Sequence, residues 1–116
     1  MASRIEVEQF LTEFFVKYRI FDIRFVQRTN TKNLNTLAKF ELTVSKWRHI
    51  IESLEIKNYV EGPIEDTLYN IADMWVFGYD YKGHEIYIKI SLGPANSHVI
   101  CISLHVAEHI MLYPFK

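Results

Sequence analysis

Residues 74–93, MWVFGYDYKGHEIYIKISLG, together with residues 99–106, VICISLHV, decide the fold. After Lys82-Gly83, the side chains of Ile86, Ile88, Ile90 and Leu92 alternate with Glu85, Tyr87, Lys89 and Ser91. That is the period of two expected of a strand with one buried and one open face. Further on, Ile100, Ile102, Leu104 and Val106 alternate in the same way with Val99, Cys101, Ser103 and His105. The spacing predicts three strands, roughly 74–81, 84–92 and 98–106, joined at Lys82-Gly83 and at Gly93–Ser97 as an antiparallel meander.

Upstream the period changes to that of helices. Ser3 and Glu6 form a capping-box pattern, and Phe10, Leu11, Phe14 and Tyr18 follow at helical spacing, so residues 4–18 are expected to be a helix. Phe21, Ile23 and Phe25 alternate with Asp22 and Arg24, which predicts a strand over 20–26. Gln27 to Lys32 is a polar loop, and Leu34, Leu37, Ala38 and Leu42 fit one face of a short helix. A further helix, capped by Thr43 or Ser45, carries Trp47, Ile50, Ile51 and Leu54 on one side. Asn58 to Tyr69 contains Gly62, Pro63, Glu61, Glu65 and Asp66 and reads as a connecting loop. The order implies an α+β fold, with helices packed on one face of a small, mostly antiparallel sheet of four strands. The other face is left for a partner or substrate.

A chain of 116 residues suits a single domain spanning 1–116, and 49% hydrophobic against 23% charged residues is enough to form a core. No apolar run approaches the roughly 20 residues of a membrane span. Arg4, Glu6 and Glu8 precede the first apolar pattern, unlike a secretory signal, so a cytoplasmic location is expected. Cys101 is the only cysteine, which excludes an internal disulfide and a thiolate cluster. The net charge of −1 argues against nucleic-acid binding through bulk charge. A local basic surface would have to come from Arg19, Arg24, Arg28, Lys32, Lys39, Lys46, Arg48 and Lys89.

Register follows from superposing the apolar faces of the last two strands. Pairing Ile90 with Ile100 and Ile88 with Ile102 sets Glu85 across from His105, Tyr87 across from Ser103 and Lys89 across from Cys101, about 5 Å apart at Cβ. The first hairpin has two solutions. A two-residue turn puts Gly78 opposite Tyr87, whereas a three-residue turn brings Trp75, Phe77 and Tyr79 to the polar face as planes on which bases stack.

An acid, an imidazole, a phenol and an ammonium on one patch match what metal-independent RNA cleavage needs: proton transfer at both ends of the reaction and stabilisation of charge on phosphorus. His105 is the expected acid or base, Glu85 its orienting partner, Tyr87 a donor to the phosphate and Lys89 a counter-charge. Trp75, Phe77, Ser103 and His109 are the candidate substrate contacts. The plainer reading is that these are ordinary cross-strand pairs on a solvated sheet. His105 and His109 lie in the order HVAEH, which lacks the glutamate directly after the first histidine that HExxH zinc sites have, so neither metal nor cofactor is expected. A non-catalytic module that docks a protein partner on the open face and the aromatic tail, Ile110 to Phe115, is the alternative.

Residues 74–93 with VICISLHVAEH (99–109), YPFK (113–116) and EGPIEDTLY (61–69) resemble the MqsR family of bacterial toxins. The resemblance implies a RelE-like ribonuclease fold, endonucleolytic cleavage of single-stranded mRNA, and neutralisation by a cognate antitoxin protein in a type II toxin–antitoxin system. The family's tyrosine and lysine two positions apart match Tyr87 and Lys89, and His105 stands where the family closes its last strand with a basic residue. The family's lysine ahead of the meander has no clear counterpart here, and its glutamine on the first meander strand is replaced by Met74 or Val76, so no cleavage sequence is implied.

Overall fold

The alternating segments do form a meander, but inside a larger sheet than the sequence suggests. The computed structural model describes residues 1–26 and 32–116, with the backbone alone for residues 32–34 and 37. The chain forms α1 (Arg4–Phe21), β1 (Ile23–Phe25), α2 (Lys32–Lys39), α3 (Val44–Glu52), a 3₁₀ turn (Ile56–Asn58), β2 (Tyr59–Ile64), β3 (Met74–Tyr81), β4 (His84–Ser91) and β5 (Val99–Val106). The sheet runs β1-β5-β4-β3-β2, with β1 parallel to β5 and the other pairs antiparallel. The fold is therefore α+β, with α1 and α3 packed on one face of a five-stranded, mostly antiparallel sheet.

Helix α1 begins as its sequence dictates: Ser3 Oγ accepts from the Glu6 N–H at 3.2 Å and Glu6 Oε1 accepts from the Ser3 N–H at 3.0 Å. It continues past Tyr18 to Phe21 and stops at Asp22, whose φ of 69° breaks the helix while its N–H bonds to Tyr18 O. The strand expected over 20–26 is shortened accordingly. Thr43 is the cap of α3, its Oγ1 accepting from the Lys46 N–H at 3.2 Å. Val7, Phe10, Leu11 and Phe14 of α1 and Trp47, Ile50 and Ile51 of α3 bury their side chains against Phe77, Ile86, Ile88, Ile90, Cys101 and Leu104 of the sheet. Helix α2 packs beside β5, where Thr36 Oγ1 accepts from the Val106 N–H at 3.0 Å beyond the end of β1. The polar loop expected from Gln27 onward lies outside the described residues, except for the start of α2 at Lys32.

The first hairpin takes the two-residue turn. Tyr81 pairs with His84, and Lys82 and Gly83 both have positive φ, 52° and 84°, the backbone a tight turn with primed geometry demands. Gly78 therefore lies opposite Tyr87, and Trp75 and Phe77 point to the helix-covered side. Phe10 stacks on Trp75 at 4.5 Å, and Phe77 has no exposed surface. These two aromatics belong to the core and offer no platform for bases.

The last hairpin corrects the expected register. Tyr87 pairs with His105, Ile88 with Leu104 and Lys89 with Ser103, but Ile90 pairs with Cys101, so a bulge at Ile102 separates two registers. The reason lies in the apolar run Val99–Ile102. Val99 and Cys101 join the main core, while Ile100 and Ile102 join Met74 in a second apolar cluster on the opposite face, with Val26, Ile64 and Ile71 packed around it. A strand buried on both sides loses the alternation that fixes register.

β2 falls in the segment whose glycine, proline and acids predict a loop. It is an edge strand with register shifts on both sides of Glu61, a place where Gly and Pro are tolerated because one side of the ladder is unpaired. No helix among the described residues is long and apolar enough to cross a membrane.

Ile88 sits at the centre of the core with no exposure, so Ile88→Ala should lower the unfolding free energy by about 2–5 kcal/mol. Thr43→Ala, which removes a helix cap, should cost about 1 kcal/mol. Urea titration of the variants measures both.

Candidate functional site

The face of the sheet away from α1 and α3 is covered at its two ends by different means. At one end the second apolar cluster sits under Ile64 and Ile71. At the other the chain beyond β5 turns back over β4 and β3. The Ala107 N–H donates to Glu85 O at 2.8 Å, and the Tyr113 hydroxyl donates to Glu85 Oε2 at 2.8 Å. The Tyr113 ring rests on Gly78, where a Cβ would come within 2.1 Å of the phenol oxygen. A glycine at 78 is thus required by the close approach of the tail.

Between these two covers lies a cavity of about 620 Å³ whose floor and wall include Glu61, Tyr87, Lys89, Ser103 and His105, closed on one side by residues 108–112 of the tail. The floor consists of adjacent cross-strand pairs, Tyr87 with His105 and Lys89 with Ser103. The His105 and Tyr87 rings stack at 5.0 Å between centroids and 13° between planes. Lys89 Nζ stands 5.9 Å from the Tyr87 ring centroid, placing a cation over the phenol face. His105 is 8% exposed, and its Nδ1 lies 2.9 Å from Val106 O. A carbonyl only accepts, so in the neutral ring this contact keeps the proton on Nδ1 and leaves the lone pair on Nε2.

Burial pushes the Tyr87 hydroxyl above the usual phenol range, and the negative charge of Glu61 pushes it further. The phenol is therefore a hydrogen-bond donor across the ordinary pH range. Burial also raises the Tyr113 hydroxyl, with its bond to Glu85 adding to the effect.

Tyr87, Lys89, Ser103, His105 and His109 all line the one cavity. Glu85 does not orient His105: it pairs with Asp80 across the hairpin and its carboxylate is held by Tyr113. Trp75 and Phe77 are absent from the cavity because the two-residue turn puts them in the core. Among the basic residues considered from the sequence, Lys89 lines the cavity, while Arg48 is bound to Asp22 at 2.6 and 3.1 Å. Arg28 and the Lys32 side chain lie outside the described residues.

Glu61 is the residue that sequence reading missed. Tyr59 pairs with Phe77 and points into the core, so an unbroken strand would point Glu61 there as well. Instead Glu61 pairs with Val76, with Val60 as the extra residue, and the bulge turns the carboxylate to the opposite face. The aromatic and β-branched pair Tyr59-Val60 was the one strand signal available in a segment dominated by Gly62, Pro63 and acids.

A second cavity of about 640 Å³ lies across Tyr113 and is lined in part by Glu55, Lys57, Asp80 and Lys116. It lacks an imidazole, and its Asp80 accepts from the Gly83 N–H at 2.9 Å. Among the described residues no cluster of three His, Cys, Asp or Glu side chains is arranged to hold a metal ion.

No family model, no curated protein and no solved structure matches the chain.

Tyr87 and Tyr113 hold their protons more tightly when folded, so above pH ~10 the folded chain binds more protons than the unfolded one. This contribution to stability is intact below that pH and lost as pH rises through the raised folded values. In an alkaline titration followed at 295 nm, three tyrosines should ionise late: Tyr87, Tyr113 and Tyr18, whose hydroxyl is raised by burial and by its bond to Glu52. Tyr113→Phe should remove one of them, and Gly78→Ala, which displaces the ring from Glu85, should let that tyrosine ionise earlier without unfolding the chain.

Proposed function

We propose that the chain is a metal-independent endoribonuclease of the MqsR toxin type, acting on single-stranded mRNA and neutralised by a cognate antitoxin protein. The observation that carries this reading is the stacked His105–Tyr87 pair with Lys89 over the phenol face, gathered in one cavity. Stacking fixes the imidazole plane, and the Val106 carbonyl fixes which ring nitrogen exchanges a proton. His105 transfers a proton during cleavage, Tyr87 donates a hydrogen bond to the phosphate, and Lys89 offsets the charge that develops on its oxygens. Ser103 and His109 contact the nucleotides on either side. Cleavage by the neighbouring 2′-hydroxyl leaves a 2′,3′-cyclic phosphate and a 5′-hydroxyl.

A net charge of −1 does not oppose this reading where the reactive groups are collected on one patch and affinity comes from local contacts. The tail supports a second reading. Ile110 and Leu112 are 89% and 77% exposed at the rim of the cavity, an apolar edge suited to a protein partner. In the toxin reading that edge is where the antitoxin covers the site. In the alternative reading the chain is a non-catalytic interaction module, and partner docking is its whole function.

Expression of the chain alone in a bacterium should arrest growth, and His105→Ala should relieve the arrest. With purified protein and a mixed-sequence single-stranded RNA, His105→Ala should slow cleavage by about 10²–10⁴-fold and Tyr87→Phe by about 10²-fold. Harmless accumulation of the unaltered chain, with no cleavage in vitro, would favour the interaction module.

A further inference from the structure

Cleavage through the 2′-hydroxyl requires two proton transfers on opposite sides of the phosphorus, and His105 supplies one of them. We infer that Glu61 supplies the other: its carboxylate is the general base that takes the 2′-hydroxyl proton, while His105 is the general acid that protonates the leaving 5′-oxygen. This assignment rests on the ribonuclease reading and deepens it.

Three observations carry it. First, the bulge in β2 turns Glu61 away from the core and into the cavity that holds His105, so the carboxylate is aimed there by a specific break in the strand. Bulges beside reactive sites commonly re-aim a side chain in this way. Second, Glu61 pairs with Val76 and Val76 with Lys89, in the row of cross-strand pairs next to the one that holds Tyr87 and His105 on the same face, so the carboxylate stands beside the stacked rings and its charge acts on the Tyr87 hydroxyl. Third, the other groups on the sheet floor of the cavity suit the task less well, Glu108 and His109 belonging to the tail that walls one side of it. Tyr87 is held protonated, Ser103 is a weak base, and an ammonium such as Lys89 has no lone pair to receive a proton. Glu85, the carboxylate expected from the sequence, is engaged by Tyr113.

The step balances without a co-reactant. Glu61 accepts the proton from the 2′-oxygen as that oxygen bonds to phosphorus. The bond from phosphorus to the 5′-oxygen breaks, and that oxygen takes the proton from Nε2 of the His105 imidazolium, leaving the neutral ring with its proton on Nδ1. The products are the 2′,3′-cyclic phosphate and the 5′-hydroxyl strand, after which Glu61 and His105 return to their starting states by exchange with water. Lys89 and Tyr87 hold the phosphate oxygens throughout.

The test uses two oligoribonucleotides, one unmodified and one with sulfur in place of the bridging 5′-oxygen at the scissile position. A thiolate leaves without protonation, so loss of the general acid is tolerated on the sulfur substrate and loss of the general base is not. On the unmodified strand, Glu61→Gln and His105→Ala should each slow cleavage by about 10²–10⁴-fold. On the sulfur strand His105→Ala should recover to near the rate of the unaltered chain and Glu61→Gln should stay slow. Glu61→Asp, which keeps a carboxylate, should lie between Glu61→Gln and the unaltered chain on both strands. In the pH profile of kcat/KM, Glu61→Gln should lose the limb that rises with pH. Glu61 is exposed, and thermal melts should show the substituted chains folded.

Cleavage by Glu61→Gln within about threefold of the unaltered rate would overturn the assignment while leaving the ribonuclease reading in place. Recovery of Glu61→Gln and not His105→Ala on the sulfur strand would overturn it by reversing the roles. An unaltered chain that cleaves neither strand would overturn the ribonuclease reading, and the assignment with it.

Discussion

The pairing of β4 with β5 constrains everything else in this structure, because β5 must serve two faces at once. Val99 and Cys101 complete the core beneath the helices, while Ile100 and Ile102 complete the second apolar cluster on the other side. Four consecutive buried residues cannot be followed by a regular alternation that also puts Leu104 and Val106 in contact with the core side of β4. The bulge at Ile102 resolves the conflict by adding one residue. Its consequence is that His105 comes level with Tyr87 and Ser103 with Lys89, which creates the stacked pair.

The same device recurs on the opposite side of the sheet. The bulge in β2 leaves Tyr59 in the core, where its hydroxyl donates to Gly62 O at 2.6 Å, and turns Glu61 to the other face. Two irregularities in separate strands thus direct polar side chains into one cavity. The C-terminal tail closes that cavity on a third side. Its anchorage depends on an absence, the missing side chain of Gly78, and on the Glu85 carboxylate that receives the Tyr113 hydroxyl. The tail also contributes the exposed Ile110 and Leu112, so the wall of the cavity and its exposed apolar edge are the same segment.

Much of the fold was legible because local chemistry and tertiary packing agree. The Ser3–Glu6 capping box, the Thr43 cap, the apolar stripe of Trp47, Ile50 and Ile51, and the alternation from Ile86 to Ile90 each predict the element that forms. What was not legible depended on tertiary context. Edge strand β2 has a sequence that favours turns and is held by pairing with β3. The helix-facing placement of Trp75 and Phe77 depended on whether Lys82-Gly83 made the whole turn, which the residues alone left open. Of the candidate site, alternation puts Tyr87, Lys89 and His105 on one face, where they line one cavity, but in another register, because bulges have no reliable sequence signature. Alternation alone points to Glu85 as the acidic member of the site, because the tail that occupies it returns from a distance no periodicity reveals.

The pairing of Tyr87 with His105 is the feature on which the account turns, and nuclear Overhauser effects between the two side chains test it most directly. With ring centroids 5.0 Å apart, the aromatic protons of Tyr87 and the ring protons of His105 should give clear mutual cross-peaks. Cross-peaks from Tyr87 to Ser103 and from His105 to Glu85, without any between the two rings, would show the unbulged register and contradict it.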